Sequence, residues 1–493
     1  SLYNLRVIAH HGQIPRPAVR GGGFSRLGDR VLLATGDGHL YSIAAPGGTL
    51  DVRAMPYHIP INGEAFARAA GTEYKEPEKS RDFGAQSPPG VHTWRFRVAG
   101  VLAQERKDGT RIFAAHHYWH AALQCFTIRL SVLEIPHGAP SADPPGRWRT
   151  MFDASPCLPL RGPDAKQGKH PFYGEESGGR LALLDDDTLL LTVGDMGFSG
   201  VESRRMLAQD PEAAYGKTIR FDLRSGEHRI FTTGHRNPQG LYVGDDAIWL
   251  TEHGPRGGDE LNVLIEGQNY GWPLVTYGTD YGAFTWPLNA RPGRHDGYPE
   301  AVYAWVPSAG ITNLIRHSGG ARFAAWRGDF LVGALSTRSM YRLRVRDGRV
   351  VFSEAIELGA RVRDLIELAD GRILAWTDEA ALLEIAPAEG MSGALLFGNR
   401  CASCHAIRDG LAHRAGPDLF GIVGRGVAEA EMFEYSAAIR AAGGRWTIER
   451  LDAFLTDPQA VMPGTSMASA GVTDARERAL IIEHLAAAGS VPR

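Results

Sequence analysis

A chain of 493 residues with 43% hydrophobic and 22% charged side chains can bury a sizeable core and is long enough for at least two domains, which excludes a disordered or fibrous protein. A net charge of −3 with no dominant basic block, and the lack of any run of about 18 apolar residues, point away from nucleic-acid binding and from a membrane span. The first residues, SLYNLRVIAHHG, carry no basic segment followed by an apolar one, so an export signal was either removed or never present.

Along the chain, short apolar or β-branched runs alternate with Asp-Gly, Gly-Asp or Asp-Asp punctuation, the signature of hairpins and not of helices. The units begin at Arg26 (RLGDRVLLATGDGHLYSI), Arg106 (RKDGTRIFAAHHYWHAALQCFTIRLSVLEI), Arg180 (RLALLDDDTLLLTVGD), Gly240 (GLYVGDDAIWLTEHG), Arg322 (RFAAWRGDFLVGALSTRSMYRLRV) and Leu365 (LIELADGRILAWTDEAALLEI). Six imperfect strand–turn–strand units predict radial repetition, a mainly β six-bladed propeller over residues 1–386, in preference to a β-sandwich. Its longest loops, YHIPINGEAFARAAGTEYKEPEKSRDFGAQSPPGVHTW and YGTDYGAFTWPLNARPGRHDGYPEAV, are where the rim and substrate selection are expected. Within HHYWH, His116 to His120, strand alternation sends His116 and His117 to opposite faces, which argues against a shared metal. IAPAEG, Ile385 to Gly390, reads as a linker.

Residues 387–493 have a different texture. Cys401 and Cys404 stand in Cys-x-x-Cys-His, the pattern of covalent c-type haem attachment, with His405 as axial ligand. Half of a zinc site would need a second ligand pair, and a thioredoxin-like dithiol a βαβ context; neither accompanies the motif. The following AGPDLFGIVGR, FEYSAAIRAAGGRWTIERLDAFLTDP and VMPGTSM resemble the class I cytochromes c, a small all-α fold, over roughly residues 391–490. That resemblance implies Met467 as sixth ligand, with Met462, His413 and His484 as competitors. It also implies Pro417 fixing the His405 side, and Arg425, Tyr435 and Trp446 holding haem propionates. Two filled axial positions predict an electron relay, not a haem-based oxidase or peroxidase.

In the propeller segment, TGHRNPQGL from Thr233 and TEHGPRGGDELNVLIEGQNYGWP from Thr251 resemble the soluble sugar and aldose dehydrogenases that carry pyrroloquinoline quinone (PQQ), a family including sorbosone dehydrogenase-like proteins. Weaker similarity runs through most of residues 20–386. A planar tricarboxylate quinone calls for guanidinium forks and a hard cation. The resemblance implies Arg236 and Asn237 at the reactive quinone edge, Gln239 nearby, and Arg361 and Arg363 on the carboxylates. It implies Ca²⁺ beside the cofactor on the carbonyls of Gly254 and Pro255, and a structural Ca²⁺ at Glu260 and Tyr270. Two positions depart from the family: Glu176 stands where a histidine base is expected, and Ser336 where a lysine is, with Arg338 two residues on as its candidate replacement. Glu176 is either a general base or an exposed acidic loop residue.

Two functions follow as expectations. One is a quinohaemoprotein dehydrogenase that oxidises an alcohol, sugar or aldehyde with PQQ and passes electrons through haem c to an external acceptor, such as another cytochrome or a copper protein. The other is a propeller without PQQ that serves as a docking platform for a cytochrome c. Covalent haem attachment implies a periplasmic location, in which Cys125 and Cys157 are either a disulfide or two buried thiols.

Overall fold

The computed structural model describes residues 3–45, 49–77, 91–137, 146–160, 172, 174–201, 203–320, 322–388, 393–407, 413–467 and 471–488. It divides into two compact units, Val7–Ile385 and a second formed by Ala386–Arg493 with the first six residues.

The larger unit is a six-bladed propeller. After β1 (Leu5–His10), the first blade holds β2 (Gly22–Leu27), β3 (Arg30–Thr35), β4 (His39–Ala44) and β5 (Asp51–His58). The second holds β6 (Val98–Arg106), β7 (Gly109–His120), β8 (Cys125–Pro136), β9 (Arg149–Asp153) and the short β10 (Leu158–Pro159). The third holds β11 (Gly178–Asp185), β12 (Thr188–Val193), β13 (Lys217–Asp222) and β14 (His228–Thr233), and the fourth β15 (Pro238–Val243), β16 (Ile248–Glu252), β17 (Asp259–Leu264) and β18 (Tyr303–Trp305). The fifth holds β19 (Ile311–Arg316), β20 (Phe330–Ala334), β21 (Ser339–Arg346) and β22 (Arg349–Glu357). The sixth combines β23 (Val362–Glu367), β24 (Ile373–Thr377) and β25 (Leu382–Pro387) with β1, so a strand from the chain start completes the last blade and the ring closes without a free seam.

The predicted hairpins follow from their turn residues. Leu27 pairs with Arg30 across Gly28-Asp29, and Gly28 takes the positive φ (60°) that a two-residue turn requires. One predicted loop contains more order than expected: GEAFARAA folds as α1 (Gly63–Ala70), and its Phe66 stacks on Phe96 (ring centroids 4.3 Å) and meets Trp119, Phe126 and Phe172 edge-on. The rest of that long loop, residues 78–90, lies outside the described residues. His116 and His117 are fully buried on opposite faces of β7, the first bonded to Ser131 Oγ (2.9 Å), the second to the main chain of Arg97 (3.0 Å). Among the described residues no His, Cys, Asp or Glu cluster is arranged to hold a metal. Cys125 and Cys157 form a disulfide, with Cα atoms 5.6 Å apart.

The first strand of each blade lies against its neighbours' around the axis, and their shared polar contacts converge on Asp364. One of its oxygens accepts from Arg180 Nη1 (2.6 Å) and Phe24 N (2.9 Å), the other from Asn313 Nδ2 (2.7 Å). Arg180 also donates to the carbonyls of Gln239 (2.6 Å) and Arg363 (3.1 Å). A Cβ on Gly23 would lie 2.3 Å from Asp364 Oδ2, so this approach requires glycine there.

The second unit is helical: α2 (Gly393–Arg400), α3 (Ala437–Ala442), α4 (Ile448–Thr456), α5 (Pro458–Val461) and α6 (Ala475–Ala488). Ser436, Thr447 and Asp457 cap α3, α4 and α5 with side-chain acceptors. A Cβ on Gly393 would lie 1.9 Å from Leu480 O, so glycine sets how closely α2 and α6 cross. Among the described residues no helix is long and apolar enough to cross a membrane.

Removing Asp364 strands a buried guanidinium. Asp364→Ala is expected to lower the propeller's unfolding free energy by about 3–5 kcal/mol in urea denaturation. Arg180→Met with Asp364→Leu is expected to recover most of that loss, since no uncompensated charge remains.

Candidate functional site

Chain direction explains why the propeller's chemistry gathers at one end of the axis. The residues just before the first strand of a blade, and those just after its second strand, lie on the same face. From the first set come Arg97, Glu176, Arg236, Gly310 and Arg361; from the second, Asp195, the 253–259 loop, Ser336 and Asp378. Together with Arg20, Glu76, Trp94, Arg95, Asn237, Gln239 and Arg363, most of these line a strongly polar cavity of about 250 Å³.

Glu176 is buried (5% exposed), not an exposed loop residue, and its carboxylate forms an ion pair with Arg236 Nη2. Burial raises its pKa well above the usual carboxylate range; Arg236 opposes this, while Asp195, which hydrogen-bonds it, pushes the same way as burial. Asp195 is also raised by burial, although Glu176, Arg236, Trp272 and Gly197 favour its ionised form. Their mutual hydrogen bond raises Glu176 and favours ionised Asp195, so Glu176 is the carboxyl that holds a proton more readily. Trp272 Nε1 (2.6 Å) and Gly197 N (3.0 Å) donate to Asp195, and Asp195 N bonds Arg236 O (2.9 Å). Sequence reasoning missed Asp195; its signal was the GD pair ending the strand TLLLTV, a pair that recurs along the chain mostly as turn punctuation.

Arg236 is fixed on several sides. Its main-chain N–H donates to Glu252 (3.0 Å), Nη1 donates to Gly254 O (2.8 Å), and the guanidinium lies 5.4 Å from the Trp272 ring centre. Asn237 Oδ1 accepts from Gln239 Nε2 (2.8 Å). The carbonyl expected to face a cation, that of Gly254, thus already carries one donor. Asp259 holds the adjoining loop by accepting from the N–H groups of Ala309, Gly310 and Ile311 (2.7–3.2 Å).

Across the cavity, Arg363 grips Asp378 with two bonds (2.8 and 2.9 Å), and Arg361 adds a third (3.1 Å). Burial alone would raise Asp378, yet Arg363 and Arg361 hold it well below the usual carboxylate range. Arg20 pairs with Glu76 (2.6 Å). With Arg97, this end carries four guanidinium groups against two carboxylates, the charge balance that suits a polyanionic ligand. Ser336 lines the cavity, but Arg338 does not: at φ 52° it turns outward and donates to Gly359 O (3.4 Å), so it does not replace the expected lysine.

Glu260 borders a smaller void with Glu252, Tyr270 and His295. Burial and Glu252 push its pKa well up, and Asn262 Oδ1 beside it is buried without a partner, a donor set that suits a hard cation. The Tyr270 hydroxyl is not part of it, being committed to Val263 O (2.5 Å) and Ile265 N (3.0 Å). Only the main chain of Tyr270 is left for the predicted cation role.

In the helical unit Cys401, Cys404, His405, Pro417, Tyr435, Trp446 and Met467 line a largely apolar pocket of about 530 Å³. His405 Nδ1 donates to Pro417 O (2.8 Å), which leaves Nε2 as the lone-pair nitrogen. A Cβ on Gly416 would sit 2.3 Å from the His405 ring. Met462 is buried outside this lining. Arg425 is outside it as well: its Nη1 and Nη2 donate to the carbonyls of Phe420 (3.2 Å) and Asp418 (2.7 Å), while its Nε is buried without a partner among the described residues.

Comparison with known proteins agrees with this division. The glucose/sorbosone dehydrogenase family matches residues 165–384. An uncharacterized protein of Synechocystis sp. is 33% identical over 308 residues, 57% of this chain and 73% of that protein. Aldose sugar dehydrogenase YliI of Escherichia coli is 32% identical over 43% of this chain, and the match spans 61% of its own length. Cytochrome c type-1 of Ascaris suum is 39% identical over 21% of this chain and 90% of its own. Among solved structures, the apo form of the E. coli soluble aldose sugar dehydrogenase superposes with a TM-score of 0.58 at 23% identity, over 78% of this chain and all of that one. The PQQ-bound aldose sugar dehydrogenase of Streptomyces coelicolor superposes at 0.51 and 17%, over 78% of this chain and 98% of that one. The chain belongs to the glucose/sorbosone dehydrogenase family by its propeller and to the c-type cytochromes by its C-terminal domain, joined in one polypeptide.

Proposed function

We propose that this protein is a quinohaemoprotein dehydrogenase, oxidising an alcohol, sugar or aldehyde in the propeller cavity and delivering the electrons through haem c to an external acceptor such as another cytochrome or a copper protein. The observation that carries this reading is the buried Glu176 facing Arg236 on a cavity whose far end is rich in guanidinium groups. PQQ, when bound, supplies the two-electron acceptor.

Glu176 takes the proton of the substrate hydroxyl at a carboxylate oxygen, and Asp195 accepts a hydrogen bond from the protonated form. Arg236 and Asn237 orient the reacting edge, Gln239 steadies Asn237, and Arg361 and Arg363 hold carboxylates at the other end. The carbonyls of Gly254 and Pro255 offer hard oxygen donors to Ca²⁺ at the cavity wall, and Glu260 with the Tyr270 main chain offers them to a structural Ca²⁺. In the cytochrome, Cys401 and Cys404 would hold haem as thioethers and His405 Nε2 and the Met467 sulfur would be the iron's ligands, a donor pair that would favour reduced iron and electron transfer. Carrying both centres on one chain gives the electron acceptor a high effective concentration. The same reading sets the protein in the periplasm, and the Cys125–Cys157 disulfide supports an oxidising compartment.

Reconstitution with PQQ and Ca²⁺ tests the proposal: substrate-driven haem reduction is expected with alcohols, sugars or aldehydes. No PQQ retained after desalting and no haem reduction would leave the docking-platform reading in its place. Glu176→Gln is expected to keep PQQ bound and to lower turnover by roughly 10²-fold or more.

A base must be ionised to accept a proton, and Glu176 has its folded-state pKa raised. The rate of haem reduction should therefore rise with pH along a limb displaced above the usual carboxylate range, and Glu176→Gln should abolish that limb in stopped-flow measurements.

Met467→Ala is expected to remove the near-infrared sulfur-to-iron band of the oxidised cytochrome and to lower its potential; Met462→Ala should keep the band. Loss of the band in the second variant alone would assign the ligand to Met462.

A further inference from the structure

The guanidinium groups on the propeller cavity are not equivalent. Arg20 is paired with Glu76, Arg95 with Glu175, Arg236 with Glu176, and Arg361 and Arg363 with Asp378. Arg97 also lines the cavity, yet its guanidinium has no ion-pair or hydrogen-bond partner among the described residues. Its main chain is held rigidly where β6 begins: Arg97 N donates to His117 Nδ1 (3.0 Å) and Arg97 O accepts from His117 N (3.1 Å). Burial keeps His117 neutral, lowering its pKa to about 3, so it can act as that acceptor. The stem is placed by Gly21, where an added Cβ would lie 2.9 Å from Arg97 Cδ and 2.7 Å from Val98 O. Burial and the nearby Arg363 and Arg95 press the Arg97 pKa down to about 9, with Asp378 and Glu175 opposing them. A cation that stays charged there with no carboxylate in direct contact is an open anion position.

We infer that Arg97 is a cofactor-binding residue whose guanidinium pairs with a carboxylate of the tricarboxylate quinone, supplying from the second blade the positive charge that Ser336 does not supply from the fifth. The inference rests on the proposed function and deepens it by explaining how the site tolerates serine at the expected lysine position. Nothing else on the cavity offers an uncommitted guanidinium among the described residues, and a carboxylate placed against Arg97 gains a charge-assisted bond without breaking an existing ion pair. An acidic substrate would present the same chemistry, so the test separates the two sources.

The experiment measures PQQ binding by equilibrium dialysis with Ca²⁺ present, using the full-length haem-containing protein, its Arg97→Gln variant, and Arg97→Gln combined with Ser336→Lys. Arg97→Gln is expected to weaken PQQ binding about 10- to 100-fold, the range for a hydrogen bond to a charged group. The added lysine is expected to restore most of it. The thermal midpoint of the PQQ-free Arg97→Gln protein should be unchanged or higher, since an uncompensated charge has gone; a structural role for Arg97 would lower it. Equal PQQ affinity in wild type and Arg97→Gln overturns the inference and leaves the proposed function standing. If that equality comes with a raised KM for a sugar acid but not for the neutral sugar, the guanidinium serves substrate carboxylates. Wild-type protein that retains no PQQ overturns both readings.

Discussion

The propeller depends on one buried ion pair. Arg180 and Asp364 come from the third and sixth blades, and the hydrogen bonds they make reach the first, fourth and fifth as well. Such a pair adds little net stability, since desolvating both charges offsets their attraction, but it penalises any blade arrangement that leaves either partner alone. Axial geometry is therefore specified by charge as well as by packing. The same residues sit one step below the cavity: Arg180 bonds the carbonyls of Gln239 and Arg363, whose side chains line it. The pair that closes the ring also sets the height of the cavity floor.

Above that floor the site is electrostatically divided. One side holds Glu176 and Asp195 buried together, where desolvation pushes both carboxyls up and Arg236 restrains but does not cancel the shift. The other side concentrates guanidinium groups around Asp378. A carboxyl with a raised pKa and a cationic end suited to carboxylates are the two features on which the proposed quinone-dependent oxidation rests.

The cytochrome unit works by an opposite principle. Its pocket is lined largely by Leu, Ile, Phe and Trp side chains, and His405 is oriented in it by the Pro417 carbonyl. An apolar lining with a single oriented nitrogen and one thioether suits a metal centre shielded from solvent, whereas the propeller cavity is lined mainly by charged and polar side chains.

The sequence by itself determined a great deal here because the relevant signals are local. Turn pairs such as Gly28-Asp29 fix hairpins, the six repeats fix the architecture, and Cys401, Cys404 and His405 fix haem attachment within five residues. What only the tertiary structure decided concerns residues that meet across the ring. Glu176 read equally well as an exposed acid until blades three and four buried it against Arg236; Arg338 stood near the right position but points outward on a left-handed backbone; Arg97 carried no motif, and Asp195 only a Gly-Asp pair like those of the turns. Burial, orientation and charge pairing between residues tens to hundreds of positions apart depend on how separate blades close around one axis, and no local pattern of residue types records that closure.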